Sequence, residues 1–413
     1  VTEFITTYRS FSKPSRMLMI NQFAINTGFF MLMPYLAGYM AGPLGLAAWA
    51  VGLVLGIRNF SQQGMFLVGG TLADRLGYKP LIVAGCLLRT GGFALLAFAD
   101  SLPALLIASA ATGFAGALFN PAVRAYLAVD SADRRVEAFA MFNIFYQAGI
   151  LFGPVVGLAL MAFDFRATAA GSAVVFALLT IAQLRALPQH EAEKKSASVL
   201  DDWRVVLANR PFLLFSAAMI GCYVLSFQVY LALPMQANRV VGTEAATTLM
   251  TAVFVVSGLI AIAGQLRITR WFAARWGRPH SLVLGMGILA AAFVPLLLVP
   301  GTALGTPVAI AAMLATAAVL GVGAAAVFPF EMDTVVALCG DRLVATHYGL
   351  YNTIVGVGIL LGNLGTGTIL DAARAAGVSS LAWAGLIAIG AVSAGGLALL
   401  ARAGRLDAPV PVG

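Results

Sequence analysis

Charge is what this sequence has least of. Asp, Glu, Lys and Arg together supply 10% of its 413 residues, where roughly 25% is usual for a soluble domain. So sparse a set excludes an ordinary water-exposed globule. Cysteine is also scarce. Cys86, Cys222 and Cys339 stand far apart in apolar surroundings, which excludes a disulfide scaffold and a cysteine metal cluster. His190, His280 and His347 have no metal-ligand partners at useful spacing, so no metal site is expected. A glycine-rich phosphate loop ending in Lys-Ser or Lys-Thr is missing, which argues against direct use of ATP. No constellation of a soluble enzyme is present, and neither an enzyme nor a cofactor is expected.

What the chain has is apolar length. Hydrophobic residues make up 61% and the mean hydropathy is +0.93. Runs of about 20 apolar residues recur from end to end, the length needed to cross a bilayer. Backbone groups in lipid must satisfy one another, so such runs are helices. A strand barrel would show short alternating segments instead. The 44 glycines suit close helix approach in lipid. The net charge of +8 is scattered through loops, which speaks for membrane topology rather than nucleic-acid binding. No cleavable signal pattern is seen, so the first apolar run is expected to be retained. The expected class is an all-α membrane protein, with the bilayer as its solvent.

Twelve spans are predicted, near 16–40, 49–72, 80–99, 102–128, 137–163, 166–187, 211–236, 245–268, 279–299, 306–335, 344–370 and 380–402. Gly42-Pro43-Leu44-Gly45 makes a turn after the first. Residues 188–210 interrupt the series with Glu191, Glu193, Lys194, Lys195, Asp201, Asp202 and Arg204. A short amphipathic surface helix is predicted there at 199–208. The chain thus reads as a six-helix bundle over 1–187, a linker over 188–210 and a second bundle over 211–413. With the N-terminus inside, the loops that fall outside hold only Arg166, Arg239 and Arg374 of the lysines and arginines. That asymmetry puts both termini and the linker in the cytoplasm.

The halves repeat one another. Met141-Phe142-Asn143 with Gly149 and Gly153 returns as Leu350-Tyr351-Asn352 with Gly358 and Gly362, and Gly113 and Pro121 return as Gly321 and Pro329. The charged turn Gly70-Thr71-Leu72-Ala73-Asp74-Arg75-Leu76-Gly77-Tyr78-Lys79-Pro80 has a worn echo in Arg275-Trp276-Gly277-Arg278-Pro279, where Ala274 answers Asp74. Six-helix repeats are a transporter signature, with a substrate site near mid-membrane between the repeats.

At these residues the sequence resembles the major facilitator superfamily, and within it the MdtH-like exporters among the twelve-helix drug:proton antiporters. The pattern G-x-L-A-D-R-x-G-x-K-x-x-L is met by Gly70, Leu72, Ala73, Asp74, Arg75, Gly77 and Lys79, with Ile82 at its last position and Leu81 beside it. A second pattern, G-x-x-x-G-P-x-x-G in the fifth span, is met by Gly149, Gly153, Pro154 and Gly157. The resemblance implies a major facilitator fold of two pseudo-symmetric six-helix bundles, in a bacterial plasma or inner membrane. It implies a monomer that exports lipophilic or amphipathic small molecules against protons, with the proton gradient as driving force. Two departures stand out. Ser109-Ala110-Ala111-Thr112-Gly113 replaces the family's Arg-Gln-Gly region of the fourth span, and Asn363 follows Gly362 where a proline would repeat Pro154. Uptake or facilitated passage of a specific metabolite, efflux of a sugar or other natural product, and a membrane sensor or scaffold remain open alternatives.

The resemblance implies a cytoplasmic latch at Gly70, Asp74, Arg75, Gly77, Lys79 and Arg124. Physically, Asp74 can face the N-terminus of the eleventh span, where free amides favour an anion, and Arg75, Lys79 and Arg124 can complete a charged cluster. A plain solvated turn is the alternative. Gly149, Gly153 and Gly157 fall at i, i+4 and i+8, a smooth stripe expected to slide on a helix of the other half, with Pro154 adding a bend. Ordinary packing is the alternative. Arg58 and Arg89 sit near mid-membrane, where an unpaired charge is costly; Arg58 is read as transport or coupling, or as structural pairing with Asn59, Gln62 or Gln63. Proton-coupling candidates are Glu331, Asp333, Asp74 and Arg58, with interfacial charges in water as the alternative for the acids. His347 is expected at the surface. From the spans that line the cavity in the family, substrate-binding candidates are Gln22, Asn26, Phe30, Arg58, Phe119, Asn120, Phe142, Asn143, Tyr146, Gln147, Phe227, Gln228, Tyr351 and Asn352. Aromatic walls with scattered hydrogen-bonding groups suit an apolar or amphipathic molecule.

Overall fold

The computed structural model describes residues 2–33, 36, 39–40, 43–46, 48–161, 164–188, 198–375, 378 and 380–406. Gly42, His190, Glu191, Glu193, Lys194 and Lys195 lie outside the described residues. All regular structure among the described residues is helical. Nine of these helices are long and apolar enough to cross a membrane. The chain divides into two compact units, Val1–Asn209 with Asp341–Thr353, and Arg210–Gly340 with Ile354–Gly413.

The first unit holds α1 (Thr2–Arg9), α2 (Lys13–Phe30), α3 (Ala48–Gln63), α4 (Phe66–Leu76), α5 (Tyr78–Phe98), α6 (Leu102–Asp130), α7 (Arg135–Met161), α8 (Phe165–Ala186) and α9 (Val199–Ala208). The start of α14 (Val344–Ala375) belongs to it as well. The span expected over 49–72 breaks at Gly64–Met65 into α3 and α4. Helix starts follow their local chemistry. Ser12 caps α2 by accepting from the Ser15 amide at 3.2 Å, which satisfies one of the free donors of a first turn. Leu102–Asp130 opens on Ser101 with Pro103 in its first turn, where proline has no hydrogen bond to lose. Packing is by apolar and small residues: α5 lies against α6 and α8, α2 against α7, and α3 and α4 against α6. Phe93 and Phe176 stack at 5.3 Å between α5 and α8.

The second unit holds α10 (Arg210–Ser226), α11 (Ala232–Ala291), α12 (Val294–Leu298), α13 (Thr306–Cys339), the remainder of α14 and α15 (Ser380–Arg402). Here α11 packs on α13 and α15, and α10 on α15. The 60 residues of α11 are not one rod. Gly242 and Gly277 turn the chain at φ 75° and 65°, which a residue with a Cβ adopts only at a cost. Gly277 therefore breaks the helix between the spans expected over 245–268 and 279–299, and Gly242 breaks it before the first of them. Gly77, in the charged turn of the first unit, has the same kind of backbone at φ 90° and ψ 158°. Its echo at Gly277 keeps that shape although Ala274 has lost the acid.

Candidate functional site

Sequence places Asp74 two residues before the end of α4, and the structure brings its carboxylate to the first turn of α14. Asp74 Oδ2 accepts from the Thr346 amide and the Thr346 hydroxyl, both at 2.7 Å. Its Oδ1 accepts from the Ala345 amide at 3.1 Å. A helix start leaves its first amides without intrahelical partners, and the helix dipole favours an anion there. The chain that leads into α14 makes this cap matter. Asp341 and Leu343 hold φ 57° and 52°, a left-handed conformation that costs a non-glycine residue on the order of 1–3 kcal/mol. Gly70 and Gly349 bring the backbones together: a Cβ on Gly70 would overlap the Ala345 carbonyl, and one on Gly349 the Phe66 carbonyl.

The expected single cluster of Arg75, Lys79 and Arg124 is instead spread over three attachments. Arg75 pairs with Asp202 of α9, Nη2 to Oδ2 at 2.7 Å and Nε to Oδ2 at 2.8 Å. Lys79 donates to the Leu187 carbonyl at 2.6 Å, a free acceptor at the end of α8. Arg124 donates to Asn352 Oδ1 at 3.0 Å, and Asn352 donates to the Tyr348 carbonyl at 2.6 Å. Beside Arg75, Trp203 Nε1 donates to Thr71 Oγ1 at 2.8 Å. The linker helix α9 thus grips α4 through Asp202 and Trp203, neither of which was singled out from sequence. The signal lay in the Ser198-x-x-Asp201 spacing, which forms a capping box at the start of α9.

His347, expected at the surface, is buried. Its Nδ1 is 2.9 Å from the Leu343 carbonyl and its Nε2 3.3 Å from Asn209 Nδ2. A carbonyl only accepts, so the proton sits on Nδ1 and Nε2 receives the Asn209 amide.

The glycine stripe of α7 has a different partner from the one expected. Gly149, Gly153 and Gly157 face α2 of the same unit. A Cβ at these positions would run into Phe23 and Asn26, Phe30 and Thr27, and Met31 respectively. The reason is α2 itself, whose backbone comes close enough that only hydrogen atoms fit. Pro154 lies inside α7.

In the second unit, Glu331 and Asp333 of α13 are both buried, so neither is an interfacial charge in water. Tyr223 of α10 donates its hydroxyl to Glu331 Oε1 at 2.6 Å. Asp333 pairs with Arg278 at 3.1 Å, and Arg278 also donates to the Leu406 carbonyl at 2.9 Å. Glu331 thus has a hydroxyl among its partners and Asp333 a guanidinium.

The other candidates divide between bonded polar groups and packing. Gln22 donates to Asn26 at 3.1 Å, and Asn26 donates to the Tyr146 carbonyl at 2.8 Å. Phe119, Phe142 and Tyr351 are buried, Phe119 against Gly85 of α5, and Asn143 is buried too. Phe30, Asn120, Tyr146, Gln147 and Phe227 are half-buried. Phe227 tilts against Tyr230 at 5.6 Å, and Gln228 donates to the Val224 carbonyl at 2.8 Å. Arg58 donates to Asn59 at 2.8 Å and to Gln62 at 3.0 Å. Among the described residues no group of three or more His, Cys, Asp or Glu is placed to hold a metal ion.

A helical chain of membrane-crossing length, with an acid-capped helix start at a Gly-x-Leu-Ala-Asp-Arg turn, defines a transporter of the major facilitator class. The Major Facilitator Superfamily model matches residues 18–363, and the chain belongs to that superfamily. It is a multi-pass membrane transporter and not an enzyme. It is 64% identical over 393 residues to the uncharacterized MFS-type transporter Rv0849 of Mycobacterium tuberculosis (strain ATCC 25618 / H37Rv), covering 94% of each chain. It is 28% identical over 378 residues to the multidrug resistance protein MdtH of Klebsiella pneumoniae (strain 342), covering 91% of each. Among solved structures it matches the human organic anion transporter MFSD10 (TETRAN) with a TM-score of 0.70 at 14% identity, over 93% of this chain and 99% of that one. That last likeness is one of fold.

Proposed function

We propose that the chain is a secondary active exporter of lipophilic or amphipathic small molecules, working by proton antiport through alternating access. The observation that carries the coupling is the Glu331–Tyr223 pair. A carboxyl buried in an apolar bundle is costly as a bare anion, and a hydroxyl partner can donate to the anion or accept from the acid. Glu331 is thereby suited to take up and release a proton as access changes, while Asp333 stays committed to Arg278. Asp74 serves as the other half of the cycle: a cap on the start of α14 that holds in one state and releases in the next, the two-state element such a cycle requires. Efflux of drug-like compounds is supported by the MdtH relatives. Twelve spans in two six-helix bundles, cytoplasmic termini, a monomer and a bacterial plasma membrane complete the reading, supported by the lysine and arginine asymmetry.

The test is a substrate-evoked proton signal. Purified protein is placed in liposomes holding a pH-sensitive dye, and a lipophilic dye or drug is added without any imposed gradient. Antiport moves protons opposite to the added compound. No pH change for any compound that is itself transported would remove the proton from the account.

A further inference from the structure

Two arginines lie deep in the first unit, and among the described residues neither is paired with an acid. Arg89 of α5 is only 5% exposed, and its Nε has no hydrogen-bond partner. Arg58 of α3 is half-buried; its amino groups reach Asn59 and Gln62, while its Nε has no partner. Neither forms an ion pair with any Asp or Glu among the described residues. Both guanidinium groups lie over the ring of Phe29, at 4.4 Å for Arg58 and 5.5 Å for Arg89. A second ring, Phe176, lies 5.4 Å from Arg89. Aromatic faces attract a cation but do not satisfy its N–H groups. Two like charges on one ring also repel each other where little water screens them. The arrangement is one negative charge short.

The space around Arg89 is also unusual. Gly116 of α6 faces it, and a Cβ there would lie 3.0 Å from Arg89 Nη2 and 3.2 Å from Gln62 Cδ. Absence of that methyl leaves room for the guanidinium and the Gln62 amide together. The site therefore combines a buried cation, a second cation at its more open side, an amide, and aromatic rings. We propose that Arg58 and Arg89 form a subsite for the carboxylate or sulfonate of an amphipathic organic anion. Arginine suits this better than lysine because its planar fork can bond both oxygens of a carboxylate. Arg58 is the entry contact, Arg89 the buried one, and the Phe29 and Phe176 rings lie against the apolar body. As a statement about cargo the proposal rests on the export reading above; as a statement about binding it stands on these residues alone.

The test uses three probes with one ring system and different charge: 1-naphthoate, 1-naphthylmethanol and 1-naphthylmethylamine. Each is titrated calorimetrically into the full-length protein in detergent. Naphthoate is expected to bind about tenfold or more tightly than the alcohol and the amine, as charge-assisted bonds outweigh neutral ones. Arg89→Gln is expected to remove that preference and leave the alcohol unchanged. Arg89→Lys is expected to keep part of it. Arg58→Gln and Gly116→Ala, which alter the open side and the space, carry the same test if Arg89→Gln does not fold. Equal binding of all three probes, or a naphthoate preference unchanged in these variants, overturns the subsite. So does an arginine-dependent response to chloride with no preference for naphthoate. Failure of the export reading looks different: naphthoate keeps its arginine-dependent preference, yet nothing moves in liposomes under a pH gradient.

Discussion

The carboxylate of Asp74 caps a helix that begins 270 residues further along the chain, receiving the amide and hydroxyl of Thr346 at 2.7 Å each. A bond of this kind joins segments far apart in the chain, and it does so where the loop leading into α14 is itself strained at Asp341 and Leu343. The cap offsets that strain only while it is made. In the proposed cycle, loss of these hydrogen bonds would leave that strain without its offset.

Asp74→Asn is nearly isosteric but replaces one acceptor oxygen by an NH2 group facing an amide. Its cost to stability is expected to be about 1–3 kcal/mol, the range for a buried donor left unsatisfied. Thr346→Val removes the hydroxyl alone. A double-mutant cycle by thermal or denaturant unfolding is expected to show coupling of about 0.5–3 kcal/mol between the two positions, as for directly bonded neighbours. Additive effects would mean that the contact is not formed in the membrane protein.

The close crossing of α4 on α14 gives a steric prediction. Gly70→Ala is expected to cost about 1–3 kcal/mol as an overpacked site, because its Cβ would overlap the Ala345 carbonyl. Gly91→Ala, where a Cβ meets nothing within 4 Å, is the control and is expected to hold or raise the melting temperature, since alanine favours a helix interior.

The grip of α9 on α4 rests on Arg75 and Asp202, whose side chains are 22% and 7% exposed. Loss of either leaves the other charge without this partner. Arg75→Ala and Asp202→Ala are each expected to loosen α9, read as faster hydrogen exchange of its amides. The reversed pair, Arg75→Asp with Asp202→Arg, is expected to restore part of the protection. No recovery would show that the two residues do not act as a pair.

The same helix should respond to acid. The Ser198 hydroxyl and backbone amide, together with Arg204, hold the Asp201 carboxyl below its ordinary value. A carboxylate depressed on folding contributes its stability above the unfolded value and loses it as pH falls through the folded one. Exchange protection of α9, corrected for the intrinsic rate, is expected to be full near neutrality and to decline below the usual carboxylate range. Ser198→Ala is expected to lose about 1 kcal/mol of helix-start stability and to flatten this pH dependence. An unchanged profile would place the capping box outside the account.

Much of this was legible in the residues. Apolar run length and turn chemistry placed α6 and α15 within about two residues of where they are, because lipid enforces helix length and Gly and Pro punctuate it, and the amphipathic pattern of the charged linker placed α9. The reach of Asp74 to the helix start near Val344 was legible too, since a short acid and a helix start are chemically matched. The partners of Arg75 and Lys79 were not, because a long cation has many acceptors within reach and only tertiary structure chooses among them. The glycine stripe announced a close approach without saying to what. Position within the predicted spans likewise marked Arg58 and Arg89 as deep without revealing the Phe29 ring they share or Gly116 beside Arg89.

The most direct test of proton antiport is Glu331→Gln in liposomes, measured in two modes with the same substrate. Glutamine keeps the size and hydrogen-bonding capacity next to Tyr223 but cannot carry a proton. Substrate exchange without a gradient is expected to persist, while uphill movement driven by an imposed pH gradient is expected to vanish. Gradient-driven accumulation at the wild-type rate in Glu331→Gln would contradict the assignment of the proton to Glu331.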